Sequence, residues 1–378
     1  MRRPGPMPAA RQGAVVSGIL DSPLVLVVGS GGVGKTTLAA ALGARAACAG
    51  HDTLVMTFDP SHRLKDALGV GEQARGGPVE VPLDAEARAR GGRLSASLLD
   101  ARQTFDRLVQ RYAPDPQARD RILGNRYYAQ LSGGLAGILE YMAVERLFEV
   151  ASEGRYSRVV LDTPPTRQAL DFLEAPDRIV SLLESGVLKV ALRPWFDAEG
   201  RLRAASRLGL LGRRLERYLD EIVGLDLLRD MAEFFGAFAP LYAGFRQRAR
   251  EVKALLTSPQ TAFLLVASPH EERLPDTAFF ARRLAEGGYR LGPLIVNQVH
   301  PAPGERPADI PAAVAEGWRL LDWLARRDAR GVAGLSALLG PGQRLVDIPL
   351  LPAEPTDLAA LLALGREVEA RLGERPVA

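Results

Sequence analysis

The chain has 378 residues, 47% of them hydrophobic, which is enough for one large α/β domain or two smaller ones with a sizeable core. Its 48 basic and 45 acidic residues leave a net charge of +3, and acids are interleaved with the arginines throughout, which argues against dedicated nucleic-acid binding. A single cysteine, Cys48, excludes an intramolecular disulfide and a Cys-based metal cluster, and no apolar run approaches the ~20 residues of a membrane span. A cytoplasmic protein fits, with membrane contact at most peripheral.

Residues 1–22 are rich in Pro, Gly and Arg without an apolar core of signal-peptide length, and read as a flexible tail. An apolar run, Leu24 to Val28, then leads into Gly29-Ser-Gly-Gly-Val-Gly-Lys-Thr-Thr37, followed by an Ala/Leu-rich helix from Leu38 to Ala47. Gly29, Gly34, Lys35 and Thr36 satisfy the phosphate-loop pattern, and the strand and helix on either side are the context it requires. Glycines let the backbone wrap a phosphate chain, and the exposed N–H groups and helix N-terminus attract its charge. Lys35 would neutralise the β- and γ-phosphates, and Thr36 would offer a hydroxyl to Mg²⁺.

The next β-type run, Thr53 to Phe58, ends in Asp59-Pro-Ser-His62, with Asp66 seven residues beyond Asp59. Asp59 suits the Mg²⁺ environment, and Asp66 could orient a water toward the γ-phosphate. His62 reads as a loop side chain that fixes the turn. Residues 69–93 form a polar, loop-rich excursion with at most a short strand at Val79–Val81, and helical patterns follow at 98–112 and 131–150. A third run, Arg158 to Asp162, places Asp162 at a strand end, where it could hold Mg²⁺ directly or through water. Pro164 and Pro165 stiffen the exit, so Thr163 and Thr166 could report the γ-phosphate.

From 171 to 256 the alternation gives way to helical patterns with apolar clusters, which reads as a helical subdomain inserted into a core made of 23–170 and 257–378. Runs at Ala262–Ala267, Leu291–Asn297 and Leu345–Ile348 complete an α/β chain with a mostly parallel, doubly wound sheet. The modestly amphipathic stretch 359–372 reads as a docked terminal helix.

Gly31-Gly-Val-Gly-Lys-Thr-Thr37, Asp59-Pro-Ser-His62 with Asp66, and Asp162-Thr-Pro-Pro-Thr166 together resemble the ArsA/Get family of deviant-Walker ATPases, from Val25 to about Pro352. The stretch 162–176 looks closest to actinobacterial-type members without an assigned cargo. The resemblance implies a P-loop NTPase fold of the SIMIBI type and an ATP hydrolase in which twofold-related subunits sandwich ATP. Gly31, Gly32, Val33, Gly34, Lys35, Thr36 and Thr37 would hold phosphate and Mg²⁺, Asp66 would align water and Asp162 would sense the metal. It further implies that Asn297 hydrogen-bonds the base, with Pro349 and Leu350 packed beside it.

Departures from the family pattern are specific. The family carries a lysine where this chain has Ser30, a contact that acts across the dimer like an arginine finger, worth about 10³ to 10⁵ in rate in related enzymes. Slow hydrolysis, a paralogous partner that donates the lysine, or an arginine from elsewhere would each accommodate Ser30. The cysteines that hold zinc or arsenite in some members are absent, which implies no zinc and disfavours arsenite transport. Glu140 is kept in Ala136-Gly-Ile-Leu-Glu140, but the family's proline there is not.

The leading expectation is a Mg-ATP-dependent ATPase that couples the nucleotide state of a homodimer, or of a heterodimer with a paralog, to a protein client on the helical subdomain. A hydrolysis-poor regulatory subunit of a paralogous ATPase is the alternative, favoured by Ser30. A small-molecule kinase using Arg213, Arg214 and Arg217 is a third class.

Overall fold

The computed structural model describes residues 22–58, 63–113, 115–124, 138–184, 242–305, 311–340 and 343–373. The expected tail up to residue 21, Asp59, His62, Ala136, and residues 185–241 of the expected helical subdomain, with Arg213, Arg214 and Arg217, lie outside the described residues.

The strands are β1 (Leu24–Gly29), β2 (Asp52–Thr57), β3 (Val79–Val81), β4 (Arg93–Leu98), β5 (Arg158–Asp162), β6 (Thr261–Ala267), β7 (Leu291–Val299) and β8 (Leu345–Pro349). They form one eight-stranded sheet in the order β3-β4-β2-β5-β1-β6-β7-β8. Every pair is parallel except β3 with β4. The helices are α1 (Lys35–Cys48), α2 (Arg63–Leu68), α3 (Ala85–Ala89), α4 (Ala101–Tyr112), α5 (Pro116–Leu123), α6 (Ile138–Glu153), α7 (Thr166–Glu184), α8 (Tyr242–Leu256), α9 (Leu274–Glu286), α10 (Ala312–Ser336) and α11 (Leu358–Gly373).

Continuous apolar runs become central strands because a parallel sheet is covered on both faces. Every residue of β1 and β6 is buried. Val25 and Val27 join Leu38, Leu42, Leu264, Ile295, Leu361 and Val368 in one core cluster. Each such Leu or Val contributes about 1.5–3 kcal/mol by leaving water. Helix α11 lies on α1 closely enough that a Cβ on Gly365 would stand 2.7 Å from Ala41 O. Arg45 Nε meets Glu369 Oε2 at 2.5 Å on the same contact, so the terminal helix is docked.

The polar stretch after α2 holds more structure than its composition suggests. It contains a 3-10 turn (Glu72–Arg75) and α3 as well as β3. Strand β4 has no counterpart among the expected strands. Its Leu-Ser-Ala-Ser-Leu core has low β-propensity, yet pairing with β2 on one side and β3 on the other buries Leu94, Ala96 and Leu98.

The chain divides into two compact units, Met1–Leu99 with Glu149–Leu170 and Leu255–Ala378, and Asp100–Phe148 with Asp171–Ala254. The described residues of 100–148 fall in the second of these units. Within this second unit the Asp100 and Asp115 side chains cap α4 and α5 by accepting from Gln103 N and Ala118 N. Its interior holds a buried ion pair between Glu145 and Arg248, with Arg248 Nε 2.8 Å from Glu145 Oε1.

Candidate functional site

Strand order reverses around β1: the chain passes from β1 to β2 and β5 on one side and later to β6, β7 and β8 on the other. Ligands of open α/β sheets sit outside the strand ends at such a switch point. The glycine loop leaves β1 there. Gly32 and Gly34 have φ of 77° and 87°, the left-handed region that glycine adopts without strain. A Cβ on Gly34 would also stand 2.3 Å from Asn297 Nδ2, so a side chain there would displace that amide.

Lys35, the first residue of α1, is buried, and its Nζ donates to Ser30 O at 2.9 Å, folding the side chain back along the loop. Thr36 Oγ1 donates to Asp162 Oδ2 at 2.7 Å, and Thr57 Oγ1 donates to the same oxygen at 2.8 Å. Register brings them together: Asp162 at the end of β5 lies opposite Val27 of β1 and Thr57 of β2. The Asp162 residue is 1% exposed, so its side chain is shielded from water beside two hydroxyls. A hydroxyl and a carboxylate form the hard oxygen set that Mg²⁺ prefers, so Thr36 and Asp162 fit that ion. Thr57 escapes the sequence reading, although a polar residue closing a buried β run is the signal that marks it.

A cleft of about 570 Å³ opens beside the loop, lined by Gly32, Gly34, Thr37, Asp66, Asn297 and Pro349 among others. Asp66, in α2, is exposed. Leu350 also lines the cleft, with its backbone N–H donating to Val299 O at 2.8 Å. Asn297 is buried and its Nδ2 donates to Val33 O at 2.9 Å, so its amide braces the glycine loop. Gln298, next in the chain and also in the cleft wall, has φ of 63°, an uncommon value for a residue other than glycine. No turn signal around Gln298 marks that conformation in advance. Thr163 is tied into the sheet, its hydroxyl donating to Val27 O at 2.9 Å, while Thr166 opens α7.

Another residue that sequence reading does not single out reaches the loop: Arg273, in the turn after β6, donates from Nη1 to Gly31 O at 2.7 Å. Only the β1–β6 pairing makes that contact intelligible. Among the described residues no helix is long and apolar enough to cross a membrane.

Residues 23–197 match the family model described as anion-transporting ATPase. The chain is 28% identical over 264 residues to ATPase ARSA1 of Chlamydomonas reinhardtii, which covers 61% of this chain and 33% of that protein. It is 35% identical over 157 residues to Protein Rv2184c of Mycobacterium tuberculosis, covering 40% of this chain and 36% of that one. It is 26% identical over 354 residues to ATPase GET3C of Arabidopsis thaliana, covering 90% and 80% of the two chains. Thus the match spans about a third of the length of the first two relatives. The loop, the strand-end aspartate and these similarities agree: over residues 23–197 the chain is similar to the anion-transporting, ArsA-type ATPases.

Proposed function

We propose that this chain binds Mg-ATP at the glycine loop and hydrolyses it, as a cytoplasmic dimer whose nucleotide state governs a protein client held by its helical segment. The observation that carries the reading is the meeting of Thr36 and Thr57 on Asp162 beside the loop that holds Lys35. In it, backbone N–H groups of residues 31–37 and the Lys35 ammonium bind phosphate oxygens. Thr36 and Asp162 would hold Mg²⁺, with Asp59 as a further candidate, and the ion when bound would supply positive charge toward the phosphates. The cleft wall at Asn297, Pro349 and Leu350 receives the base. Asp66 accepts a hydrogen bond from a water and orients it for in-line attack; the water oxygen bonds to the γ-phosphorus as the bond to the bridging oxygen breaks, the water's proton passes to a γ-phosphate oxygen, and ADP and inorganic phosphate leave.

A hydrolysis-poor regulatory subunit is the second reading, and Ser30 is what favours it. Phosphate release from Mg-ATP by the purified chain, with Asp66→Asn beside it and light scattering on the same samples, separates the two. Loss of about 10²- to 10⁴-fold in turnover with ATP binding retained supports the autonomous enzyme. Binding of ATP without Asp66-dependent turnover supports the regulatory subunit, and no binding at all sinks both.

A further inference from the structure

The segment Gly29–Thr37 carries one cation of its own, Lys35, and it rests on Ser30 O at 2.9 Å. The next carbonyl along, Gly31 O, is met by a second cation from 242 residues away, Arg273, at 2.7 Å. Sheet topology produces the approach: β1 and β6 run parallel with Gly29 opposite Val266, so the chain leaving β6 emerges beside the loop leaving β1.

The backbone that carries Arg273 is fixed. Its N–H donates to His270 O at 3.0 Å and its carbonyl accepts from Thr277 Oγ1 at 3.1 Å. Gly331 of α10 packs so closely on the same turn that a Cβ there would stand 1.6 Å from Pro269 O. The neighbouring Glu271 is exposed and faces Arg330 at 3.7 Å.

Holding a long charged side chain half-buried costs rotamer entropy and hydration, and a neutral amide would serve to tie down one carbonyl. Among the described residues Gly31 O is the only hydrogen-bond partner of this guanidinium, whose planar fork presents further N–H donors suited to phosphate oxygens. The contact also has a direction. Gly34 packs on Asn297, whereas Gly31 lies beside the Pro165 ring at the exit of β5, at the other end of the loop.

We propose that Arg273 is a phosphate-binding residue that supplies, from within the same chain, a second positive charge to the terminal phosphate of a nucleoside triphosphate. This rests on the reading of the loop as a nucleotide site. Arg273 thereby discriminates triphosphate from diphosphate, and it stands next to Ser30, the position that itself brings no charge.

The test is the affinity of the full-length chain for fluorescent ATP and ADP analogues with Mg²⁺, by anisotropy, for wild type, R273K, R273Q, R273A and K35A, with a melting curve for each. R273Q and R273A should bind the ATP analogue about tenfold to a hundredfold more weakly and lose less than about threefold for ADP, with R273K close to wild type. The glutamine of R273Q keeps an N–H donor for Gly31 O without the charge. If R273Q binds ATP like wild type, or if every variant loses ATP and ADP equally, Arg273 is a loop clamp and the proposal is overturned while the nucleotide site stands. A wild-type chain that binds neither analogue overturns the nucleotide reading itself, and this inference with it.

Discussion

Thr36 and Asp162, 126 residues apart, meet in a 2.7 Å hydrogen bond, and the oxygen that accepts it also accepts from Thr57 at 2.8 Å. Two donors on one oxygen orient the buried carboxylate. Asp162→Asn keeps the shape and removes the charge, so it should weaken ATP binding in Mg²⁺ at least about tenfold, the effect of losing a charge-assisted contact. Binding measured in EDTA should change little. Titration calorimetry in both conditions decides the matter, and equal affinities of variant and wild type in Mg²⁺ would remove Asp162 from the metal site.

Gly29 closes β1 with φ of 152°, and a Cβ there would lie 2.1 Å from Val266 O, a backbone atom of the paired strand. Nothing flexible can yield. Gly29→Ala is expected to destabilise the chain by more than about 2 kcal/mol, through both strain and the disturbed β1–β6 pairing. Gly32→Ala meets no atom within 4 Å and strains only its own φ of 77°, so it should cost about 1 kcal/mol. Urea unfolding of the two variants should rank them in that order, and a reversed order would contradict the steric argument.

Much of this architecture is legible because it rests on local pattern. Buried parallel strands are unbroken apolar runs, so β1, β5 and β6 announce themselves, and the glycine loop is a short motif with its own flanks. Strand β4 escapes notice because its small serines and alanine are stabilised by neighbours on both sides rather than by propensity. The Arg273 contact is unreadable for a different reason: it depends on which strand lies next to β1, and sequence order places β6 far from it. Asn297 is read through resemblance as a base contact, and the brace it forms on Val33 O is a tertiary feature no spacing reveals.

In the second unit, Glu145 is 2% and Arg248 14% exposed at the side chain. Burial alone would lower the Arg248 pKa, but the charge of Glu145 and its hydrogen bond more than offset this and raise it. Burial, and then the Glu145 charge, push the Tyr141 hydroxyl far above the usual tyrosine range, so it stays a neutral donor, 3.3 Å from Glu145 Oε2. Glu145→Gln leaves the guanidinium buried without its counter-charge and should cost about 3–5 kcal/mol. Replacing both partners, with Glu145→Leu and Arg248→Met, should recover most of that loss, since a buried pair often contributes little net stability against a well-packed apolar substitute. A double-mutant cycle by chemical denaturation reads the coupling; additive losses would mean the pair is not a unit.

Asp328 of α10 is fully buried at its side chain and ties that helix to the end of β7. Its Oδ2 accepts from His300 N at 3.0 Å and lies 2.7 Å from His300 Nδ1, and its Oδ1 accepts from Arg327 Nε at 3.0 Å and Nη2 at 2.8 Å. Burial pushes the carboxyl pKa up, and the hydrogen bonds from His300 and Arg327 outweigh it, holding the group below its ordinary value. A depressed folded-state pKa means the unfolded chain takes up the proton first. The stabilisation is therefore complete above the unfolded value of about 3.9 and is lost as pH falls through the folded one. Asp328→Asn should lower the melting temperature at pH 7, with a loss of about 1.5–3 kcal/mol expected for hydrogen bonds to a charged group. The gap from wild type should hold down to about pH 5 and narrow below about pH 4. Melting curves across that range test it: a gap that stays constant into acid would show that Asp328 acts through shape alone. Since His300 closely follows Asn297 and Gln298 in the chain, a lost tie should also loosen the cleft wall, seen as faster amide exchange at 297–300 in the variant.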